Sequence, residues 1–276
     1  ALWWIKDMVN ANQHQLVDNV MFPGANSAIT CPNSLAVTSG NYTAPAGDSV
    51  AWCWNAADPT TSGFNIIKNT NDGAGTVAHG LPGTPAFMIF RQYEVQDNIY
   101  TWHQDYGFNG TAWQYQVLAT AAAVTYGGSN LVLAVDDTNI TFGTAVTRNQ
   151  IIYAWSEIPG YSAFGSYTGN NNADGPFIYT GMRSAFVMIK RTDTNGDWYV
   201  WDTTRDINNP CFQHLIPDST NPENTNSGTA NQIDILSNGF KLLSSGGNTN
   251  AAGTYVYACF AENPFGGSNV SPVTAR

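Results

Sequence analysis

Short apolar runs separated by turn residues dominate the pattern along the chain. The runs are rich in Val, Ile, Tyr, Phe and Trp, and clusters of Gly, Asn, Asp and Pro bound them. This spacing is typical of antiparallel β-strands. Helix signals are scarce: residues 12–20 could make one turn, and residues 111–124 could form a short helix. Dipeptides that favour tight hairpin turns are Asn109-Gly110, Asn195-Gly196 and Asn238-Gly239. The pattern therefore predicts an all-β protein.

Imperfect copies of four segments recur in the same order along the chain. They are residues 49–55, 151–157 and 255–262; 1–7, 85–92 and 184–191; 14–20, 99–105 and 198–206; and 63–83 with 163–181. In the first set Trp54, Trp155 and Phe260 fall in register, and each member of the second set ends near a cation. The period of roughly a hundred residues is longer than that of solenoid repeats. It predicts tandem antiparallel β-sandwich modules.

The repeat divides the chain into a partial first module at residues 1–62, a second at 63–162 and a third, with a C-terminal tail, at 163–276. Ala1 lies at an apolar run that is central in the other two modules, so we expect the first module to be incomplete at its N-terminus. We expect the edge strand near residues 1–6 to be completed by upstream residues or by another chain through strand addition.

Composition narrows the classes of partner. The chain is 43% hydrophobic and 13% aromatic, which is enough to form real cores, but only 11% of it is charged. So low a charge suits a protein embedded in an assembly better than one kept soluble by its surface. A net charge of −10 disfavours nucleic acid and anionic membrane surfaces as partners. No apolar run is long enough to span a bilayer.

The four cysteines are Cys31, Cys53, Cys211 and Cys259. Cys53 and Cys259 hold equivalent positions in the repeat, where the middle unit carries Ala154, which favours a small core residue. No pair has CxxC spacing, so a zinc site is not predicted. We expect free, buried thiols, in keeping with assembly in a reducing cytoplasm.

Candidate catalytic chemistry is weak. The four histidines show no metal-site spacing. The carboxylates that could form a hydrolytic pair are Glu94, Asp97 and Asp105. The alternative is that these polar residues lie on a solvent-exposed strand and loop. His103 aligns with Asp202 while Trp102 aligns with Trp201, so the repeat keeps the aromatic residue and varies the polar one beside it. We predict no catalytic residues, and that the protein is not an enzyme.

The candidate ligand-binding residues each have a structural alternative. Exposed aromatic rings can stack on the apolar faces of sugars, and the candidates are Trp102, Tyr106, Trp113 and Tyr115. Core packing is the alternative for each. Residues 69–72 and 170–174 could hold Ca²⁺ through oxygen ligands, but they lack spaced carboxylates and plain turns are favoured. We predict no metal and no cofactor, and expect a receptor-binding protein to expose an aromatic cluster at one end of a module.

Several strings together resemble a known family. They are WIKD, HQLVD, VAWCW, GYSAFGSYTGNNNADGPFIYTGMRSAFVMIKRTDTNGDW, ANQIDILSNGFKL and YVYACFAENPF. They resemble a repeated β-rich domain of large virion-associated proteins of tailed phages, notably marine cyanophages. The resemblance covers most of the chain and is strong over residues 160–265 and weaker over 92–147. It implies a structural virion protein with a jelly-roll or lectin-like sandwich, and it transfers no catalytic residues.

The first hypothesis is therefore a phage virion structural protein, in a tail fibre, a spike or a capsid decoration, with a role in assembly or host-surface attachment. The expected partners are other copies of itself, other virion proteins and a host-surface glycan, and the expected location is the virion, assembled in the host cytoplasm. The alternatives are a polysaccharide-degrading spike-type glycosidase, which needs a carboxylate pair roughly 5 to 10 Å apart, and a cellular carbohydrate-binding module.

Overall fold

A computed structural model describes residues 1–20, 27–31, 47–70, 74–93, 97–125, 131–225 and 231–262. The chain forms two compact units. The first unit contains Ala1–Thr120, Val124–Ser156 and Pro217–Pro222, and the second contains Ala121–Ala123, Glu157–Ile216 and Glu223–Arg276. The predicted three-module boundaries stay a prediction.

All strand pairs in the first unit are antiparallel. The described residues of this unit form three sheets, in the strand orders β3-β2-β1-β4, β5-β12-β7-β8-β9 and β10-β11-β6. The strands are β1 (Leu2–Asp7), β2 (His14–Asp18), β3 (Ser27–Cys31), β4 (Ser49–Trp54), β5 (Phe64–Asn69), β6 (Gly75–Ala78), β7 (Pro85–Gln92), β8 (Tyr100–His103), β9 (Gln116–Val117), β10 (Val132–Val135), β11 (Asn139–Phe142) and β12 (Gln150–Ser156), with one helix, α1 (Pro59–Ser62).

The second unit contains a larger sheet of order β13-β19-β15-β16 and a smaller sheet of order β14-β18-β17. Its strands are also antiparallel. They are β13 (Ser162–Gly169), β14 (Phe177–Tyr179), β15 (Ser184–Arg191), β16 (Trp198–Asp202), β17 (Ile233–Leu236), β18 (Gly239–Leu242) and β19 (Gly253–Ala261), with a second short helix, α2 (Gly247–Asn250).

Each unit contains a sandwich whose two inner faces share one core. In the first unit, Met88 and Trp102 of the five-stranded sheet pack with Ile140 of the three-stranded sheet. In the second unit, Val187 of the larger sheet packs with Phe240 of the smaller one. The prediction of an all-β, antiparallel, sandwich-like fold is confirmed. The ambiguous stretches contain strand instead of helix: β2 lies in residues 12–20, and β9 in residues 111–124.

The two sandwiches repeat one topology. β5-β12-β7-β8 corresponds to β13-β19-β15-β16, and β6-β11-β10 corresponds to β14-β18-β17. The register agrees as well, since Phe87 lies opposite Trp155 and Phe186 lies opposite Phe260. The first sheet follows the same plan in β4-β1-β2, where Leu2 lies opposite Trp54. The residues aligned by sequence therefore hold equivalent places in three sheets.

Strand β4 differs from its counterparts, β12 and β19, in its position within the sheet. β12 and β19 lie inside their sheets, whereas among the described residues β4 forms one edge of the first sheet. Its side chains alternate in exposure, and Cys53 is exposed. The prediction of a buried thiol at Cys53 is wrong, although Cys211 and Cys259 are buried as expected. The side chain of Cys31 lies outside the described part of the chain, and strand addition at this sheet stays a prediction.

Candidate functional site

The structure buries two of the four aromatic residues predicted to stack on sugars. Trp102 in β8 is 1% exposed and Tyr106 is 4% exposed. The Trp102 ring packs edge-on against Trp113, with ring centroids 5.4 Å apart, and the Tyr106 hydroxyl donates to Gln116 Oε1. Burial raises the pKa of the Tyr106 phenol. A sugar cannot reach a ring face inside a core, so the structure corrects the prediction for Trp102 and Tyr106.

The other two predicted stacking residues are only half-buried. Trp113 and Tyr115 pack against the core of the first-unit sandwich. Trp113 also contacts the exposed ring of Phe108, with centroids 5.3 Å apart, and Tyr115 meets Tyr100 edge-on at 5.4 Å. Their main contacts are with neighbouring side chains of the same sandwich, and glycan stacking at these two positions stays a prediction.

Of the carboxylates considered for hydrolysis, that of Asp97 serves local structure. Glu94 lies outside the described residues. The Asp97 carboxylate accepts hydrogen bonds from Gln92 Nε2 at 3.0 Å, from the Gln92 backbone N–H at 3.3 Å and from the Tyr100 hydroxyl at 3.0 Å. Asp105 lies in the turn after β8, where its backbone N–H donates to His103 Nδ1 at 3.1 Å.

His103 occupies a buried polar position that recurs in the fold, not the solvent-exposed position that the sequence suggested. His103 lies opposite Phe87, Asp202 lies opposite Phe186, and Asp18 lies opposite Leu2, so the three hold one place in the repeat. All three are buried. Asp18 accepts a hydrogen bond from the Tyr153 hydroxyl at 2.6 Å, and Asp202 pairs with Arg205 at 2.5 Å. The position therefore selects a buried polar group with a partner.

No metal centre is present among the residues that the structure describes, since no group of three or more His, Cys, Asp or Glu side chains lies close enough together. In the predicted turn at residues 170–174, side-chain oxygens hold the backbone of the turn. Asn170 Oδ1 accepts from the Asn172 N–H at 3.0 Å, and Asn172 Oδ1 accepts from the Asp174 N–H at 3.0 Å. Residues 71 and 72 of the other candidate loop lie outside the described range.

A buried cation is the second-last residue of the equivalent strand in three of the sheets. These cations are Lys6 in β1, Arg91 in β7 and Lys190 in β15, each exposed by 1% or less. Lys190 Nζ donates to four backbone carbonyls, those of Gly196 at 2.7 Å, Ala122 at 2.9 Å, Arg191 at 3.1 Å and Ala121 at 3.2 Å. A buried charge is tolerated only when it is well hydrogen-bonded. Lys190 therefore holds the backbone of the segments around it.

The ammonium groups of the two lysines also bind segments that are distant along the chain. Lys6 Nζ donates to Asn12 O at 2.5 Å and to Thr220 O at 3.2 Å, and burial lowers the pKa of Lys6. Gln116 pairs with Thr101 of β8, and Leu215 pairs with Val200 at the equivalent position of β16. Because Ala121 and Thr220 each follow that pairing by five residues, they hold the same place in the repeat. The arrangement is a repeated structural device.

An exposed aromatic pair lies on the outer face of the smaller sheet in the second unit, and the sequence analysis missed it. In β14, Ile178 is buried in the core, while Phe177 is 45% and Tyr179 is 66% exposed. Residues two apart on a strand point to the same face, about 6.6 Å from each other. Residues 177–179 are Phe, Ile and Tyr, with no alternation of apolar and polar residues, so the sequence does not say which of these side chains faces the core.

The outer face continues across the three strands of the sheet. Lys241 Nζ pairs with the Asp174 carboxylate at 2.5 Å, and this hydrogen bond lowers the pKa of Asp174. Burial raises the pKa of the neighbouring Asp234. We call this outer surface the aromatic face. One row of residues across its strands is Phe177, Lys241 and Asp234, and the next row is Tyr179, Gly239 and Leu236.

Two glycines lie next to the exposed rings. A β-carbon at Gly239 would lie 3.0 Å from Phe177 Cε2 and 2.1 Å from the Ile178 carbonyl oxygen, so only glycine fits this backbone. Gly181, at φ +73°, lies below the Tyr179 ring, whose hydroxyl would be 3.5 Å from a β-carbon there. Close approach of the Ile178 carbonyl therefore requires glycine at position 239, and the positive φ favours glycine at position 181.

Among the described strand residues, the equivalent face of the first unit carries no aromatic side chain. Val77 pairs with Ile140 as Ile178 pairs with Phe240. Thr76 and Ala78 therefore hold the places of Phe177 and Tyr179, and both are exposed. The same topology thus forms with small residues at these two positions, and the rings are not required by the fold.

Residues 32–264 match the model of a protein family described as a domain of unknown function, DUF7483. The chain belongs to this family. The match to DUF7483 spans both sandwiches and part of the first sheet. No curated protein and no solved structure matches the DUF7483 chain. In the part of the DUF7483 chain that the structure describes, no helix is long and apolar enough to cross a membrane.

Proposed function

We propose that this DUF7483 chain is a structural protein of a phage virion, built into a tail fibre, a spike or a capsid decoration. In this proposal it acts by assembly and host-surface attachment, and it performs no catalysis. Its partners are further copies of itself, other virion proteins and a host-surface glycan. The proposal starts from the resemblance over residues 160–265 to a repeated domain of virion-associated proteins of tailed phages.

The observation that carries the proposal is the repetition of one sandwich with a fixed framework and a variable outer face. Buried positions, such as Trp155 and Phe260 or Lys6 and Lys190, recur in type, while Thr76 and Phe177 differ at one exposed place. A repeated framework supplies extended, regular building material, and variable outer residues supply recognition. The low share of charged residues, 11% of the chain, also suits surfaces that pack in an assembly.

Mass spectrometry of gradient-purified particles of the phage that encodes this chain tests the proposal. We expect the chain to band with the particles, to stay bound through a high-salt wash, and to occur in a fixed ratio to the major capsid protein. A phage replication protein, depleted from the same fraction, is the control. A chain found only in the soluble fraction of the lysate would overturn the proposal.

The absence of catalysis is tested separately. Recombinant chain and the variant D97N/D105N are incubated with host-surface polysaccharide, and reducing ends are counted. We expect neither protein to release reducing ends above the buffer control. Release by the wild type that the variant loses would support the glycosidase alternative instead.

A further inference from the structure

The two rings of the aromatic face are only partly used by their own sandwich. Full burial of an aromatic side chain stabilises a protein by about 1.5–3 kcal/mol relative to exposure. Phe177 and Tyr179 obtain only part of that, because they are 45% and 66% exposed. The first unit builds the same sheet with Thr76 and Ala78 at these places. The two rings are therefore available to a ligand.

The size of the face fits a small, flat ligand better than a protein. An aromatic side chain buries about 150–250 Å² when fully covered, so the exposed parts of the two rings sum to on the order of 200 Å². One partner in a specific protein interface buries about 800 Å². A pyranose ring has an apolar face of the size of one aromatic ring, and two rings about 6.6 Å apart along a strand can hold successive sugars of one chain.

The charges around the rings favour an uncharged ligand. Lys241, beside Phe177, is neutralised by its ion pair with Asp174. Asp234 follows in the same row and leaves the face without an excess of positive charge. The whole chain carries a net charge of −10, which repels polyanions at long range. The Tyr179 hydroxyl, the Lys241 ammonium and the Asp234 carboxylate offer hydrogen-bonding partners to sugar hydroxyls.

We infer that the aromatic face binds a neutral polysaccharide by stacking sugar rings on Phe177 and Tyr179, with Lys241 and Asp234 hydrogen-bonding to its hydroxyls. The biological role of this site, host attachment, rests on the proposed function. The binding itself does not, and it is measured on the isolated chain.

Affinity electrophoresis of the full chain tests the inference. Native gels contain hydroxyethyl cellulose or laminarin as neutral β-glucans, or polygalacturonate as a polyanion. The variant F177T/Y179A carries the residues that the first unit has at these places, so its fold is expected to survive. The matched control T76A/T141A removes two polar side chains, one exposed and one half-buried, from the equivalent face of the first unit. Circular dichroism checks folding of both variants.

We expect retardation of the wild type and the control in at least one neutral β-glucan gel, and none in polygalacturonate. In F177T/Y179A the dissociation constant should rise about tenfold for each ring lost. Equal retardation of wild type and F177T/Y179A, no retardation in any gel, or retardation in polygalacturonate alone would overturn the inference. A chain absent from virions that still binds through the two rings would refute the proposed function and leave the inference standing.

Discussion

At the scale of single residues, the fold depends on buried polar groups with specific partners. Lys190 is the strongest example, because its ammonium reaches four carbonyl oxygens and lies 5.8 Å from the centroid of the Trp198 ring. Removing such an ammonium group leaves buried carbonyl oxygens without a hydrogen bond. Each buried acceptor left unsatisfied lowers the free energy of unfolding by about 1–3 kcal/mol.

We therefore expect Lys190→Met to lower the free energy of unfolding by about 2 kcal/mol or more, since methionine fills the space but donates no hydrogen bond. The control is Lys241→Met, which breaks a surface ion pair worth about 1 kcal/mol or less. Urea denaturation followed by circular dichroism measures both. Equal losses for the two variants would show that the carbonyl contacts of Lys190 do not stabilise the fold.

A second residue-scale prediction concerns pH. His79 Nδ1 accepts the Leu81 N–H at 3.1 Å, and Nε2 lies 3.1 Å from the Asp136 carbonyl oxygen. Burial lowers the pKa of His79, although the nearby Asp136 and Asp137 carboxylates oppose this shift. The unfolded chain then binds a proton at a higher pH than the folded one does, so stability falls as the pH drops below about 6.5.

We expect His79→Gln to weaken this fall, because glutamine can keep both hydrogen bonds and does not titrate. The measurement is the free energy of unfolding at several pH values between 7.5 and roughly 5. A wild-type curve parallel to that of the variant would contradict the account of His79.

At the scale of elements, the repeat indicates which aromatic positions are framework. Trp155 packs against Phe64 with centroids 4.8 Å apart, and against Phe87 and Trp54 at 5.6 Å each. Its counterpart in β19 is Phe260, which meets Phe164 and Phe186, both at 5.7 Å. One aromatic cluster is thus built at the same corner of each sandwich.

This equivalence predicts a graded response at one position. Trp155→Ala should cost about 3–5 kcal/mol by leaving a cavity, whereas Trp155→Phe, which installs the residue of the second unit, should cost less than about 2 kcal/mol. Thermal and urea unfolding compare the two. Similar losses for both would mean that the two corners do not pack in the same way.

The difference in burial between equivalent strands predicts which thiols react. Cys53 in β4 is exposed, whereas Cys259, at the equivalent place in β19, is fully buried. Burial raises the pKa of Cys211 to about 12 and also raises the pKa of Cys259. Under native conditions iodoacetamide should modify Cys53 first, and Cys211 and Cys259 only after denaturation, as measured by peptide mass mapping. Simultaneous modification of Cys53 and Cys259 would contradict this difference in cover.

The sequence was informative about strands and repeats, and less so about what covers them. The alternation and the shared register located the strands and placed Trp54, Trp155 and Phe260 in one position. Burial depends on the opposing sheet, which a local pattern does not contain. For that reason Cys53 was expected inside and is outside, Trp102 and Tyr106 were considered as surface rings and are buried, and Phe177 and Tyr179 were overlooked.

At the scale of the whole molecule, the chain combines two sandwiches of one topology with a first sheet that follows part of the same plan. Each unit includes a short segment from a distant part of the chain, held by a buried lysine through Thr220 or Ala121. A pattern of apolar runs does not contain such ties, because they join residues 214 and 69 positions apart. The repeated framework and these ties are the basis for proposing an assembly component.

The most direct test of that central claim is electron microscopy of the native particles, with the chain located by a specific antibody. The account predicts labelling of one symmetric appendage or surface lattice, with many copies of the chain in a regular arrangement. Unlabelled particles, together with a free monomer in the lysate, would contradict the claim that this DUF7483 chain is a virion structural protein.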